Sequence, residues 1–206
     1  MYQAIVFDVD GTILDTEKAV LHSLQSVLAE EGHSYTQEEL RFALGIPGEK
    51  AIQHLNIQNE EEILAKWTER EVQMASEVRL FDGIEAVLAQ IPESGVVTSK
   101  NSYEMEKGFY PFGIGGHFNA IVCASDTMNH KPHPDPLLKA MEILARNPQE
   151  VLYIGDSPYD MACAHSAGAD FGLALWGAKS EKGFEKAEHV FRQPSEILAH
   201  VAIQNE

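Results

Sequence analysis

Ala4-Ile5-Val6-Phe7 is apolar without a break, and four later runs share that character: Gly95–Val97, Ala120–Ala124, Val151–Ile154 and Phe171–Leu175. A strand with one wet face alternates apolar and polar residues. A strand covered on both faces does not, and parallel sheets are where both faces are covered. From Asp82 onward helical patterns separate the runs, and a shorter sixth strand is predicted at His189–Phe191. The expected fold class is therefore α/β, a doubly wound parallel sheet with helices on both sides.

The stretch between the first two strands breaks this rhythm. Asp15 to about Phe81 contains no convincing strand. Thr16 is placed to cap a helix carrying Val20, Leu21, Leu24, Val27 and Leu28 on one face, with Gly32 as its stop. Thr36-Gln37-Glu38-Glu39 has the form of a capping box for a second helix. Gly45-Ile46-Pro47-Gly48 interrupts the pattern, and a later helix carries Ile63, Trp67, Met74 and Val78 as a packing stripe. Residues 15–81 thus read as an inserted all-helical domain on a core formed by 1–14 and 82–206. Its two crossings, near Thr12–Thr16 and Arg79–Gly83, are expected side by side, as in a lid on two hinges.

At 206 residues the chain fits one large domain or a core with a smaller insert. Its 44% hydrophobic content is globular, and no segment approaches the ~18 consecutive apolar residues of a membrane span. No basic stretch followed by an apolar one opens the chain, so a cytoplasmic location is expected. Cys123 and Cys163 lack paired spacing and read as buried free thiols. A net charge of −17 excludes general binding to nucleic acid or to an anionic membrane. It would also repel an anionic substrate, although salt screens that field beyond about 8 Å. An anion site must therefore be built locally, from lysine, metal or backbone N–H groups.

Ligands of open α/β sheets bind outside the carboxyl ends of the strands. There the chain carries Asp8-Val9-Asp10-Gly11-Thr12, then Thr98-Ser99-Lys100, then Ser125-Asp126, then Gly155-Asp156-Ser157-Pro158-Tyr159-Asp160. Lys131, in His130-Lys131-Pro132-His133-Pro134, lies on the loop between the third and fourth strands. Asp8 and Asp10, two positions apart at the mouth of a buried strand, are costly to place together. Four acids (Asp8, Asp10, Asp156, Asp160) against one lysine would repel a phosphate unless a divalent cation were bound, and oxygen-only ligands favour Mg²⁺. Ser157 as N-cap with Pro158 at N1 puts Asp160 at N3, where a capping-box role suffices. Asp156, at the strand end before the cap, is the better metal ligand. Gly113-Ile114-Gly115-Gly116 reads as a turn, and His165 as structural.

These motifs, in this order, resemble the haloacid dehalogenase superfamily, in its phosphatase branch with a C1-type helical cap inserted after the first motif. Asp8-x-Asp10-Gly11-Thr12 matches motif one, Thr98 motif two, Lys131 motif three and Gly155–Asp160 motif four. Gly45-Ile46-Pro47 and the run Asp170-Phe171-Gly172-Leu173-Ala174-Leu175-Trp176-Gly177 are similar to phosphoglycolate phosphatase-like members. The resemblance implies a Rossmann-like core and an aspartyl-phosphate formed on Asp8, with Asp10 as general acid and base. It implies that Thr98 and Lys131 hold the phosphoryl oxygens, with Ser99 beside them where asparagine is common. It also implies Mg²⁺ held by Asp8, the Asp10 carbonyl and Asp156, with Asp160 acting through water.

The expected substrate is a small phosphorylated metabolite, 2-phosphoglycolate first, and the expected assembly a monomer or homodimer. A sugar phosphomutase of β-phosphoglucomutase type, with Arg41 as the sugar-binding candidate, and an inorganic pyrophosphatase share this chemistry. A receiver-like phospho-acceptor module belongs to another class. The +2 spacing of Asp10 and the helical insertion after the first strand speak against it.

Overall fold

A computed structural model describes residues 1–202. In chain order the elements are β1 (Ala4–Phe7), β2 (Leu14–Asp15), α1 (Glu17–Glu30), α2 (Gln37–Leu40), α3 (Gly48–Leu55), α4 (Glu60–Gln73), β3 (Arg79–Leu80), α5 (Ile84–Leu88) and β4 (Ser94–Val97). They continue with α6 (Ser102–Gly108), β5 (Ala120–Val122), α7 (Asp135–Leu144), β6 (Val151–Gly155), α8 (Pro158–Ala167), β7 (Asp170–Ala174), α9 (Leu175–Ala178) and β8 (His189–Phe191).

Six strands form one sheet in the order β5-β4-β1-β6-β7-β8, every neighbouring pair parallel. The chain winds outward from β1 to β4 and β5, then crosses back to begin β6 against the other side of β1. The order reverses between β1 and β6, and Phe7 sits opposite Ile154 there. The loops after these two strands therefore leave the sheet together, at the crevice where ligands bind in such folds.

Alternation along β1 explains its unbroken apolar sequence. Ile5 and Phe7 enter one core with Val96, Leu152 and Ile154, beneath α5, α6 and the 3₁₀ helix Pro194–His200. Ala4 and Val6 enter a second with Tyr153, Phe171 and Leu173, beneath α7 and α8. Each large aliphatic or aromatic side chain buried this way contributes about 1.5–3 kcal/mol relative to exposure. The third and fifth strands end earlier than the apolar runs suggest. At Cys123 the backbone N–H donates to Asp126 Oδ2 (2.8 Å) and opens a 3₁₀ turn, Ala124–Asp126. At Leu175 the chain turns into α9.

The insert holds a core of its own, in which Leu24, Leu28, Leu40, Ile52, Ile63 and Trp67 meet. Trp67 Nε1 donates to Ser23 Oγ across it (3.0 Å). The Thr36–Glu39 capping box is present. Three details differ from the sequence reading. Thr16 precedes α1, but its backbone is already helical and its side chain caps nothing. Helix α4 stops at Gln73, so Met74 and Val78 pack on the sheet core instead of continuing its stripe. Leu14–Asp15 pairs antiparallel with Arg79–Leu80, so the connections into and out of the insert form a short ribbon. The crossings are adjacent, as expected. Among the described residues no helix is long and apolar enough to cross a membrane, and both cysteines are buried and free.

Candidate active site

Asp8 extends the β1–β6 ladder by one bond, its N–H donating to the Ile154 carbonyl (2.9 Å), before the chain turns sharply. Gly11 makes the turn with φ +77°, and a Cβ there would run into the Asp156 carboxylate. Glycine is the residue that accepts both demands. Trp176 Nε1 donates to the Thr12 carbonyl (3.0 Å), fastening α9 over the same loop.

At the centre lies a buried lysine between two buried aspartates. Lys131 Nζ donates to Asp8 Oδ1 (2.8 Å) and to Asp160 Oδ1 (2.7 Å). Asp160 Oδ2 accepts from the Ser157 N–H (3.0 Å) and hydroxyl (2.6 Å), while Tyr153 OH donates to Oδ1 (3.1 Å). The capping role and the site role of Asp160 therefore coincide: one oxygen closes the N-terminus of α8 and the other grips Lys131. Asp156 accepts a bond from the Thr12 hydroxyl (3.3 Å). Carboxylate oxygens of Asp8, Asp156 and Asp160 lie within 4.8 Å of one another.

The electrostatics are unbalanced. Burial pushes the Asp8 carboxyl up to about 7 against the pull of Lys131, and Asp160 and Asp10 push the same way. Asp156 is raised well above the ordinary range, by burial first and then by Asp160 and Asp8. Burial opposes the charge on Lys131, yet the Asp160 and Asp8 carboxylates outweigh it and keep the ammonium protonated. Asp8 Oδ2 is buried, with no hydrogen-bond partner among the described residues. A cluster of hard oxygen donors, short of positive charge and holding an unpartnered carboxylate oxygen, suits Mg²⁺.

Asp10 faces the same space and is ion-paired with Lys100 Nζ (3.0 Å). Reading Thr98-Ser99-Lys100 for its hydroxyls overlooks that lysine, although its position after the strand end is the signal. Burial works against the Lys100 charge, but Asp10, Glu71 and Glu104 together raise it. Thr98 is buried at the end of β4, its Oγ1 accepting from the Lys100 N–H (3.2 Å). Ser99 donates its hydroxyl to the Gly45 carbonyl of the insert (3.0 Å). Ser125 and Asp126 follow β5 but cap local backbone, at Ser102 and Cys123.

Residues 5–174 match the family model described as haloacid dehalogenase-like hydrolase. The chain belongs to the haloacid dehalogenase-like hydrolase family. It is similar to the "Putative pyrophosphatase PpaX" of Caldanaerobacter subterraneus, 34% identical over 84% of this chain and 81% of that protein. It is also similar to the "Phosphoglycolate phosphatase" of Xanthomonas campestris, 28% identical over 85% of this chain and 84% of that one. The crystal structure of a "putative phosphoglycolate phosphatase" from Lactobacillus plantarum superposes with TM-score 0.89 at 31% identity, covering 97% of this chain and 99% of that one.

In this hydrolase the carboxylate cluster opens into a cavity of about 600 Å³ between the sheet edge and the insert. Asp8, Asp10 and Asp156 line it from the core, and Phe42, Gly45, Ile46, Trp67 and Glu71 from the insert. Gly45, at φ +83°, lies so close over Ser157 that a Cβ would press on that side chain. Glu71, on the helix that reads as packing alone, is pushed by burial up to about 7 against the pull of Lys100. Periodicity hides such a residue, because it marks the apolar face of α4 and is silent about the edge turned toward the core.

Proposed function

We propose that this hydrolase is a Mg²⁺-dependent phosphatase of small phosphate monoesters, with 2-phosphoglycolate the first candidate substrate. The observation that carries the reading is Asp8: one oxygen is fixed by Lys131, the other is buried, unpartnered and within reach of the cavity. Asp8, Asp156 and the Asp10 carbonyl would hold Mg²⁺, with Asp160 acting through water. The bound ion would supply the positive charge that lets a phosphate dianion approach four carboxylates.

The residues support a two-step transfer. An Asp8 oxygen attacks phosphorus, the bond from phosphorus to the ester oxygen breaks, and Asp10 gives that oxygen a proton. Water then attacks the aspartyl-phosphate, Asp10 takes its proton, and the bond from phosphorus to Asp8 breaks to release phosphate and restore the carboxylate. Lys131 holds Asp8 in line and, with Thr98, meets the phosphoryl oxygens. Such positioned acid–base help is worth on the order of 10²–10⁴ in rate. Ser99, committed to Gly45, fits the role of joining the insert to the phosphate end of the cavity.

The deciding assay measures phosphate release from 2-phosphoglycolate with Mg²⁺, with EDTA and with Asp8→Asn. Repeated turnover that needs both the metal and Asp8 is expected; full activity in Asp8→Asn would remove the nucleophile. Uptake of one phosphoryl group without release would instead point to a receiver-like module. A second reading, hydrolysis of inorganic pyrophosphate, is favoured by the 34% identical relative that bears that name. The same assay with pyrophosphate ranks the two by kcat/KM.

A further inference from the structure

Tyr153 lies beneath the centre, fully buried and off the cavity wall, and the transfer steps make no use of it. It stands on β6 opposite Val6, and its ring fills the core shared by Val97, Phe171 and Leu173. Phenylalanine would fill that space as well. A buried hydroxyl costs free energy unless it is bonded, so this one serves something other than packing.

The hydroxyl reaches two acceptors. It donates to the Val97 carbonyl and to Asp160 Oδ1, at 3.1 Å each. One proton thus serves both, and burial together with the Asp160 and Asp8 carboxylates keeps it on the tyrosine. Val97 is the last residue of β4 and directly precedes Thr98. Asp160 Oδ1 is the oxygen that grips Lys131 (2.7 Å). Strand β1, which delivers Asp8, runs between β4 and β6. The tyrosine therefore crosses beneath the nucleophile's strand and joins the supports of Thr98 and Lys131.

We propose that Tyr153 is a positioning residue, its hydroxyl a strut that holds Thr98 and Lys131 at a set separation so that both meet the phosphoryl group together. The proposal rests on the phosphatase reading and adds to it a residue that never touches substrate. Lys131 has three N–H donors, and two go to Asp8 and Asp160. Those two bonds aim the third. Asp160 is in turn held by Tyr153 and Ser157. Without the tyrosine hydroxyl, Asp160 Oδ1 is left to Lys131 and the carbonyl at the end of β4 loses its tie to the centre. Groups that contact a reacting phosphoryl tolerate little play, since a displacement of about 1 Å can cost on the order of a hundredfold in rate.

The test compares Tyr153→Phe with wild type as Mg²⁺-loaded full chains, on 2-phosphoglycolate and on 4-nitrophenyl phosphate. Phenylalanine keeps the ring and hence the fold, and rates are taken per folded molecule by circular dichroism. The expected result is a kcat about tenfold lower with KM changed less than about twofold, the pattern of support lost in the transition state. Orthovanadate, which adopts the five-coordinate shape of the transferring phosphoryl, should bind about tenfold more weakly by calorimetry. In a Thr98→Val background, Tyr153→Phe should cost only about twofold to threefold, because one end of the strut then has no hydroxyl to place. Tyr2→Phe is the control. It also removes a hydroxyl that donates to a carboxylate, Asp170, but at the far edge of the sheet, and it should lower Tm with kcat unchanged.

A lowered Tm with wild-type kcat and vanadate affinity in Tyr153→Phe would make the hydroxyl structural only. That result, a full tenfold loss in the Thr98→Val background, or an equal kcat loss in Tyr2→Phe would each overturn the strut and leave the phosphatase reading intact. If wild type releases phosphate from neither ester, or Asp8→Asn retains activity, the phosphatase reading fails and the strut falls with it.

Discussion

Lys131 bridges two buried aspartates at once, and that arrangement sets what a single substitution does. Lys131→Met would leave Asp8 and Asp160 buried without their shared cation. Removing one partner of a buried ion pair costs about 3–5 kcal/mol, and the loss should appear as a lower urea midpoint. Mg²⁺ should act in the opposite direction. Saturation at a hundred times Kd adds about 2.7 kcal/mol to the folded state, read as a rise in Tm by scanning calorimetry. Asp156→Asn should abolish the rise; a rise that survives would place the ion elsewhere. The sequence supplied every acid of this cluster, because motif spacing puts them at strand ends. It left open that Asp160 both caps and grips, since a capping box predicts a local bond and is blind to a lysine 29 positions away.

At the scale of elements, helix α8 is joined to β6 by Ser157. Its hydroxyl accepts from the Asp160 N–H (3.2 Å) and donates to Asp160 Oδ2. Ser157→Ala should lower stability by about 1 kcal/mol, as loss of an N-cap does, and should also loosen Asp160 against Lys131. Chemical denaturation gives the first and the kcat of phosphate release the second. Gly45→Ala tests the contact between insert and core. Its left-handed backbone and proximity to Ser157 leave no room for a methyl group, so KM should rise several-fold while the sheet stays folded by circular dichroism. Strand positions were legible because burial on both faces leaves an unbroken apolar signature. Strand and helix ends were less so. Thr16 has a capping side chain without a capping backbone, and α4 ends at Gln73 although apolar residues run on, because Met74 and Val78 have a different core to fill.

Across the whole molecule, the far edge of the sheet is held by a polar cluster remote from the cavity. Tyr2 OH donates to Asp170 Oδ2 (2.6 Å) and meets His189 Nε2 (2.9 Å), and the His189 ring lies 4.3 Å from that of His200. Burial and the neighbouring His200 lower the pKa of His189, against the pull of Asp170 and Glu188. The folded state therefore binds its proton less readily than the unfolded chain does. This contribution to stability is present above about pH 6.5, the value for an unperturbed histidine, and is lost as pH falls through the depressed folded value. His189→Gln should flatten the acid side of the stability–pH curve relative to wild type; an unchanged slope would count against the assignment.

The sequence by itself determined the α/β class, the place of the helical insert, the family and the acids and lysine of the centre. Each of these is written in local periodicity or in short-range spacing. The tertiary structure alone decided that Lys100 pairs with Asp10, that Glu71 reaches the cavity, and that Glu17 gathers Arg41 and Lys179. Those contacts join residues far apart in the chain, and their energies depend on burial and distance. Neither quantity exists until the sheet and the insert have closed on each other.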